Sequence, residues 1–496
     1  MQFINYAEST IGADGYVGDD ANVSFVGRTS YSYDDRYFVT ASFRRDYAGR
    51  LPKGHEYGDF PAVTAAWKIT NEPFFPKSDI LNLFKIRASW GRIGNLGSVP
   101  MNYKSQNMSV AAWWQQPEAA IYGTSQDTVW GQWTFPGTTV NQTLTWETSE
   151  QWDAGVDIDL FKDRLSISAD YYDKRTFNLL QTPSTGWPST IGWSASVQNL
   201  GEIRNSGVEL TLSWKDRIGK DFSYFLNGNY SYNRNRVVST GILDEDGNEA
   251  PWQMGGAWGS IPWVFQTEAG QPMGSIYVIH CTGLFQNETE IYEHNTDGKV
   301  IQPYAQPGDL RFEDYNRNGQ IDTGDRQYVG TTNPPHTFAA TVGFDWKGLN
   351  FSMMWQGVAG NKVVYMAKSK LLTPSDGGGN LSVEALNAWS PENTDTNIPR
   401  LSKNDPNGNF ITASDWLVED GAYVRLKNIT LGYDMTRILR KMPHFAQRGS
   451  SLNVYFSGEN LLTFTRYSGM DPECGGVDIM NYPISRVLAL GVKLTY

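Results

Sequence analysis

The fold class this sequence predicts is all-β: an antiparallel transmembrane β-barrel with short turns at one end and long loops at the other. Three observations carry that reading. Apolar and polar residues alternate with period two through most of the chain, as in strands with one oily and one wet face. Short and long connections alternate between those segments, which a soluble sandwich has no reason to do. Aromatics reach 14% of the 496 residues while the hydrophobic fraction is only 40%, so the chain is poor in aliphatics and rich in amphipathic rings. That ring content excludes disorder. No run approaches the roughly 18 apolar residues of a spanning helix, so only an alternating pattern could place this chain in a bilayer. The formal net charge of −12 argues against nucleic acid as a partner, because phosphates demand a basic footprint.

The alternation is plainest from Trp152 onward. Trp152, Ala154, Val156, Ile158 and Leu160 share one face against Asp153, Gly155, Asp157 and Asp159. After Lys162-Asp163 the pattern resumes, with Leu165, Ile167, Ala169 and Tyr171 opposing Ser166, Ser168 and Asp170. Val208, Leu210, Leu212 and Trp214 oppose Glu209, Thr211 and Ser213. In a later strand Val424 and Leu426 fall out of phase with Ile429, Leu431 and Tyr433, which predicts a β-bulge. Leu452, Val454 and Phe456 oppose Asn453, Tyr455 and Ser457, and the chain ends with Leu488, Leu490, Val492, Leu494 and Tyr496 on one face. A terminal ring completing such a strand suits a membrane interface. Helical candidates are few: Thr436–Phe445 and Ser382–Trp389. No blade-like repeat is visible.

Tight or modest connections fall at Asp34-Asp35, Thr70–Leu81, Lys162-Asp163, Lys215–Asp221, Ala269–Pro272, Lys347–Leu349 and Met435–Ser450. Longer polar excursions alternate with them, at Ala48–Asp59, Gly94–Thr145, Asn178–Leu200, Arg236–Gly259, Gln286–Pro335, Asn361–Asp420 and Thr465–Pro483. The short turns are expected to be periplasmic and the long loops extracellular, joining about fifteen strands. An odd number breaks the even-number rule of closed bacterial barrels, so earlier strands are expected outside this chain. Met1-Gln-Phe-Ile-Asn-Tyr, with neither a basic region nor an apolar run before a cleavage site, points the same way.

Six stretches, Arg28–Asp46, Phe84–Asn95, Gly270–Tyr277, Gly308–Asp322, Tyr423–Tyr433 and Val454–Phe464, follow one another in the order of a known family. The chain resembles the SusC/RagA-type TonB-dependent outer-membrane transporters of Bacteroidetes. The resemblance implies that residues 1–496 are the carboxy-terminal part of a plugged 22-stranded barrel, without plug domain, TonB-contacting segment or signal peptide. It implies uptake of oligosaccharides, or in some members peptides, beneath a SusD-like surface lipoprotein, driven by the TonB complex through the missing amino-terminal part. Outer-membrane lipid would surround the wall.

One motif carries metal chemistry. Asp314, Asn316, Asn318, Gln320, Asp322 and Asp325 occupy the oxygen positions of an EF-hand-type Ca²⁺ loop, with Gly319 at the sharp turn and Ile321 at the apolar position. Asp325 is shorter than the usual bidentate Glu, and no helices flank the loop. An Asn/Gly turn held by side-chain-to-backbone hydrogen bonds is the alternative. A bound ion would be structural; no other cofactor is expected.

Trp113, Trp114, Trp130, Trp133, Trp187 and Trp193 fall in or beside the long loops, as do Trp252 and Trp258. Flat rings beside amides and carboxylates suit a sugar face; loop packing or an interfacial belt is the alternative for each ring. Asp157, Asp159 and Asp170 are expected to wet the lumen. Catalysis has no support: His55, His280, His294, His336 and His444 are scattered, and no nucleophile elbow or phosphate loop is present. Cys281 and Cys474 read as incidental thiols. The rival reading is a soluble secreted β-rich carbohydrate-binding or adhesive protein, its oily rows packed sheet on sheet.

Overall fold

The computed structural model describes residues 20–99, 108–111, 133–136, 141–183, 195–244, 246–254, 261–262, 264–374, 379–436, 441 and 451–495. Thirteen strands form one sheet, each paired with its neighbours in sequence order. They are β1 (Asn22–Tyr33), β2 (Tyr37–Ala48), β3 (Tyr57–Lys68), β4 (Leu81–Asn95), β5 (Glu147–Leu160), β6 (Leu165–Phe177) and β7 (Glu202–Ile218). The series continues with β8 (Phe222–Ser239), β9 (His336–Trp346), β10 (Leu349–Ala359), β11 (Tyr423–Asp434), β12 (Ser451–Thr465) and β13 (Val487–Thr495). Every pairing in it is antiparallel. Among the described residues β1 and β13 have no partner on their outer edges.

One end carries the connections 34–36, 69–80, 161–164, 219–221, 347–348 and 435–450; the other carries 49–56, 96–146, 178–201, 240–335, 360–422 and 466–486. The segregation is by end and not strictly by length, since 435–450 exceeds 49–56. Lys347 and Gly348 both adopt positive φ, 49° and 96°, the two-residue hairpin turn whose twist matches its strands.

Thirteen strands stand where the alternation suggests about fifteen. The two segments flanking Ala269–Pro272 account for the difference. They are Phe265–Thr267 and Ser275–Ile279, members of a separate four-stranded sheet. Ser275–Ile279 is buried at every position, so it has no wet face and belongs to a packed layer.

Register explains the period. Ile86, Val156, Ala169, Leu210, Tyr230 and Phe338 are successive partners across β4 to β9. One residue along, Lys85, Asp157, Ser168, Thr211 and Asn229 line the opposite face. The bulge in β11 falls where the phase break predicts it: the register with β10 and β12 shifts between Leu426 and Asn428.

The buried core lies off the sheet. Its largest cluster draws Ile276, Val278, Leu310 and Phe312 from 240–335 and Val364, Met366, Phe410 and Leu417 from 360–422. On the sheet the apolar rows are open instead: Leu490 is 79% exposed, Val492 67% and Trp152 59%. Leaving a Leu or Phe in water forfeits about 1.5–3 kcal/mol each, so a face of this extent needs an apolar solvent. No second layer of this molecule covers those rows among the described residues, which opposes the soluble sheet-on-sheet rival.

Aromatic pairs frame the apolar face. Near the short turns Tyr37 stacks on Trp67 with centroids 6.3 Å apart, and Phe344 lies 5.8 Å from Phe222 and 5.3 Å from Phe351. Toward the long connections Trp90 meets Trp152 at 5.8 Å and Tyr232 meets His336 at 5.0 Å. Paired girdles of this kind mark the two interfaces of a membrane-spanning wall.

Candidate functional site

The polar face divides into two sectors. On β4–β6 it is charged, and Arg87 is its hub. The Arg87 guanidinium reaches Asp170 at 2.6 Å, Asp157 at 3.2 Å and the Ser168 hydroxyl at 2.8 Å, while Lys85 sits 3.3 Å from Asp157. Gly155 makes room for this crossing, because a Cβ there would meet Asp170 Oδ1 at 2.1 Å and Arg87 Cζ at 3.0 Å. Asp157 and Asp170 are therefore ion-paired, which goes beyond the wetting role their pattern suggests. Ser89 donates to Asp153 at 2.9 Å on the same sector.

On β8 the face is neutral. Asn227, Asn229, Ser231, Asn233 and Asn235 follow one another at every second residue, a ladder of amides and one hydroxyl. Ser213 donates to Asn227 at 2.7 Å, the Tyr172 hydroxyl to Asn233 at 3.0 Å, and Asn235 to Asn205 at 2.8 Å. The alternate-residue spelling of β8 carries this signal, and sequence reasoning passes over it while attending to aromatics and carboxylates.

The long connections pack over that end of the sheet. Lys362–Tyr365 pairs antiparallel with Val418–Asp420 and parallel with Val477–Asp478, joining two excursions. A buried Asp309 accepts from Arg400 at 2.6 Å and from Asn409 at 2.9 Å, tying 240–335 to 360–422. The last excursion is pinned to β11 by Arg425, whose side chain is 4% exposed and lies 2.5 Å from Asp471 and 2.8 Å from Glu473. Lys427 adds a contact to Glu473 at 2.9 Å. Burial pushes the Asp471 carboxyl up, but the Ile484 and Glu473 N–H groups and Arg425 outweigh it and hold it below the usual range.

The 314–325 loop is closed by its own backbone. Asp314 accepts the N–H of Gly319 at 2.8 Å and the Thr296 hydroxyl at 3.0 Å; Asn316 accepts that of Asn318 at 2.9 Å. Asn318 accepts from Gln320 at 2.9 Å and Asp322 from Gly324 at 2.6 Å. The fully buried Asp325 accepts from Asn316 at 3.2 Å and Asp322 at 2.8 Å, completing a capping box. Among the described residues no three His, Cys, Asp or Glu side chains gather to hold a metal. These are the side-chain-to-backbone hydrogen bonds of an Asn/Gly turn, and the accepting oxygens are the same ones a Ca²⁺ loop would use.

Trp113, Trp114, Trp130, Trp187, Trp193 and Trp258 lie outside the described residues, and Trp133 begins a short strand, Trp133–Pro136. Trp252 is buried, with its indole donating to the Thr240 carbonyl at 3.0 Å, so it serves loop packing. The helix suggested at Ser382–Trp389 is a 3-10 turn, Val383–Asn387; of Thr436–Phe445 only Thr436 and Lys441 are described. Both cysteines are free, and burial, then the Asp415 charge, pushes the Cys281 thiol up to about 12.

Comparison with known proteins settles what this wall belongs to. The family model described as TonB dependent receptor-like, beta-barrel, matches residues 3–461. The chain belongs to the TonB-dependent receptor β-barrel family. TonB-dependent receptor P3 of Formosa agariphila is 30% identical over 98% of this chain and 47% of its own length. TonB-dependent receptor SusC of Bacteroides thetaiotaomicron is 27% identical over 97% of this chain and 44% of its own. The chain thus spans about half the length of the curated relatives it matches. The solved structure of the RagAB peptide transporter superposes with a TM-score of 0.76 at 23% identity, covering 99% of this chain and 49% of that one, and shows the shared fold.

TonB-dependent receptors are outer-membrane transport proteins and not enzymes, and this chain is an outer-membrane barrel wall. Its apolar face meets lipid, its polar face the lumen, its short turns the periplasm and its long connections the exterior.

Proposed function

We propose that this chain forms the wall and outer loops of a TonB-dependent importer of oligosaccharides. The amide and hydroxyl ladder of β8 is the observation that carries the reading. Neutral donors and acceptors exchange hydrogen bonds with a polyhydroxylated solute at little desolvation cost, whereas the charges of the Arg87 cluster are already paired among themselves. In this reading a surface lipoprotein of the SusD type closes over the long loops, and the TonB complex displaces a plug. The tryptophans at 113, 114, 130, 133, 187 and 193 are its sequence candidates for sugar stacking. RagAB is a peptide transporter, so peptide cargo is the second reading.

The wall needs completion. β1 and β13 run in the same sense because thirteen is odd, so joining them directly would create a parallel seam. An odd number of further strands between them restores antiparallel closure and removes both edges.

Energy-dependent uptake tests the cargo: cells carrying the gene should accumulate labelled neutral oligosaccharides, and cells lacking it should not. Accumulation of labelled oligopeptides alone would refute the sugar reading.

A structural Ca²⁺ in the 314–325 loop is part of this proposal, held by Asp314, Asn316, Asn318, Gln320, Asp322 and Asp325. These oxygens have lone pairs enough to hold an ion and keep the N–H groups they now accept, so binding stiffens the turn around bonds already made. Calcium should therefore slow hydrogen exchange at Asn318 and Gly319 relative to EGTA. Identical exchange in the two conditions excludes the ion.

A further inference from the structure

The lipid-facing side of β6–β8 carries a row of like charges that the transport reading leaves unused. Arg175 on β6 lies directly opposite Arg204 on β7, and Arg204 directly opposite Arg236 on β8. Arg234 stands two residues along β8 on the same face, opposite Ser206. Neighbouring strands lie about 4.8 Å apart, so the row of three spans about 10 Å of sheet. Like charges set opposite one another are destabilising, and an acidic protein with twelve surplus carboxylates has the means to neutralise them.

It does so only in part. Asp173 pairs with Arg204 at 2.6 Å, and Glu202 pairs with Arg175. Arg234 and Arg236 are exposed and have no ion-pair partner among the described residues. Their neighbours in sequence, Asn233 and Asn235, turn to the lumen, where they bond Tyr172 and Asn205. The two arginines therefore point outward. They sit immediately beyond Tyr232 and His336, the aromatic pair that marks the outer interface. A guanidinium at that height lies among headgroups, where its paired N–H donors match the oxygens of a phosphate.

We propose that the outward arginine patch of β6–β8, with Arg234 and Arg236 as its free cations, holds the phosphate-bearing headgroup of an outer-leaflet lipid. The inference rests on the wall reading, because only a membrane-embedded face brings lipid to this patch. The test uses the protein purified from outer membranes in detergent, with monophosphorylated lipid A, dephosphorylated lipid A or inorganic phosphate added. Native mass spectrometry should show the phosphorylated lipid retained in preference to the dephosphorylated one. The Arg234→Gln/Arg236→Gln double variant should weaken that retention about tenfold or more, and Arg44→Gln on the lumen face should leave it unchanged. Equal retention by wild type and double variant overturns the proposal, as does full competition by inorganic phosphate at the lipid's own concentration. Heat-modifiable migration is read on the same samples: a normal shift with no lipid preference sinks the patch alone, and an absent shift in wild type sinks the wall.

Discussion

Leu210→Arg is expected to abolish insertion of the wall, while Thr211→Arg, the next residue of the same strand, is expected to be tolerated. Leu210 lies in the cross-strand row with Ala169 and Tyr230 on the lipid face; Thr211 lies between Ser168 and Asn229 on the lumen face. An arginine on the lipid face near mid-bilayer costs about 2–4 kcal/mol, a large share of a barrel strand's stability, whereas the lumen is wet. Outer-membrane content and heat-modifiable gel migration measure the outcome. Equal tolerance of the two substitutions would mean that the faces are misassigned.

Arg425→Met should free the last outer loop without disturbing the sheet. The substitution leaves Asp471 buried with its cation gone, and breaking a buried pair in this way costs about 3–5 kcal/mol. Hydrogen exchange across 466–486 should accelerate by orders of magnitude, while β11 and β12 keep their protection. pH provides a second arm. The folded Asp471 carboxyl lies below its ordinary value, so its contribution is complete above the ordinary carboxylate range and is lost as pH falls through the folded value. Wild type should hold the loop at neutral and mildly acid pH and release it only in stronger acid. Arg425→Met should show the loop loose at neutral pH already. A variant whose loop exchanges like wild type at neutral pH would remove Arg425 as the anchor.

Much of this fold is legible because a wall strand must carry one oily and one wet face. Trp152 to Leu160 and Leu488 to Leu494 spell that requirement residue by residue, and the β11 bulge announces itself as a broken phase. Ser275–Ile279 misleads for the same reason: a strand buried on both faces has no alternation to break, so its apolar run passes for a piece of the wall. The Arg87 hub stays hidden because its partners lie 70 and 83 residues away, and only register brings them together. The arginine row is invisible likewise, since Arg175, Arg204 and Arg236 become neighbours only once three strands are aligned. The 314–325 motif spells a tight oxygen-rich turn, yet spelling alone does not say whether those oxygens serve an ion or their own backbone.

Single-cysteine probes along 206–214 of β7, each carrying a fluorophore in reconstituted membranes, test the central claim most directly. Positions 206, 208, 210, 212 and 214 should be quenched by a lipid-soluble agent, and 207, 209, 211 and 213 by a water-soluble one. Uniform quenching by the aqueous agent, or protection of both sets from both agents, would contradict a wall that separates lipid from lumen.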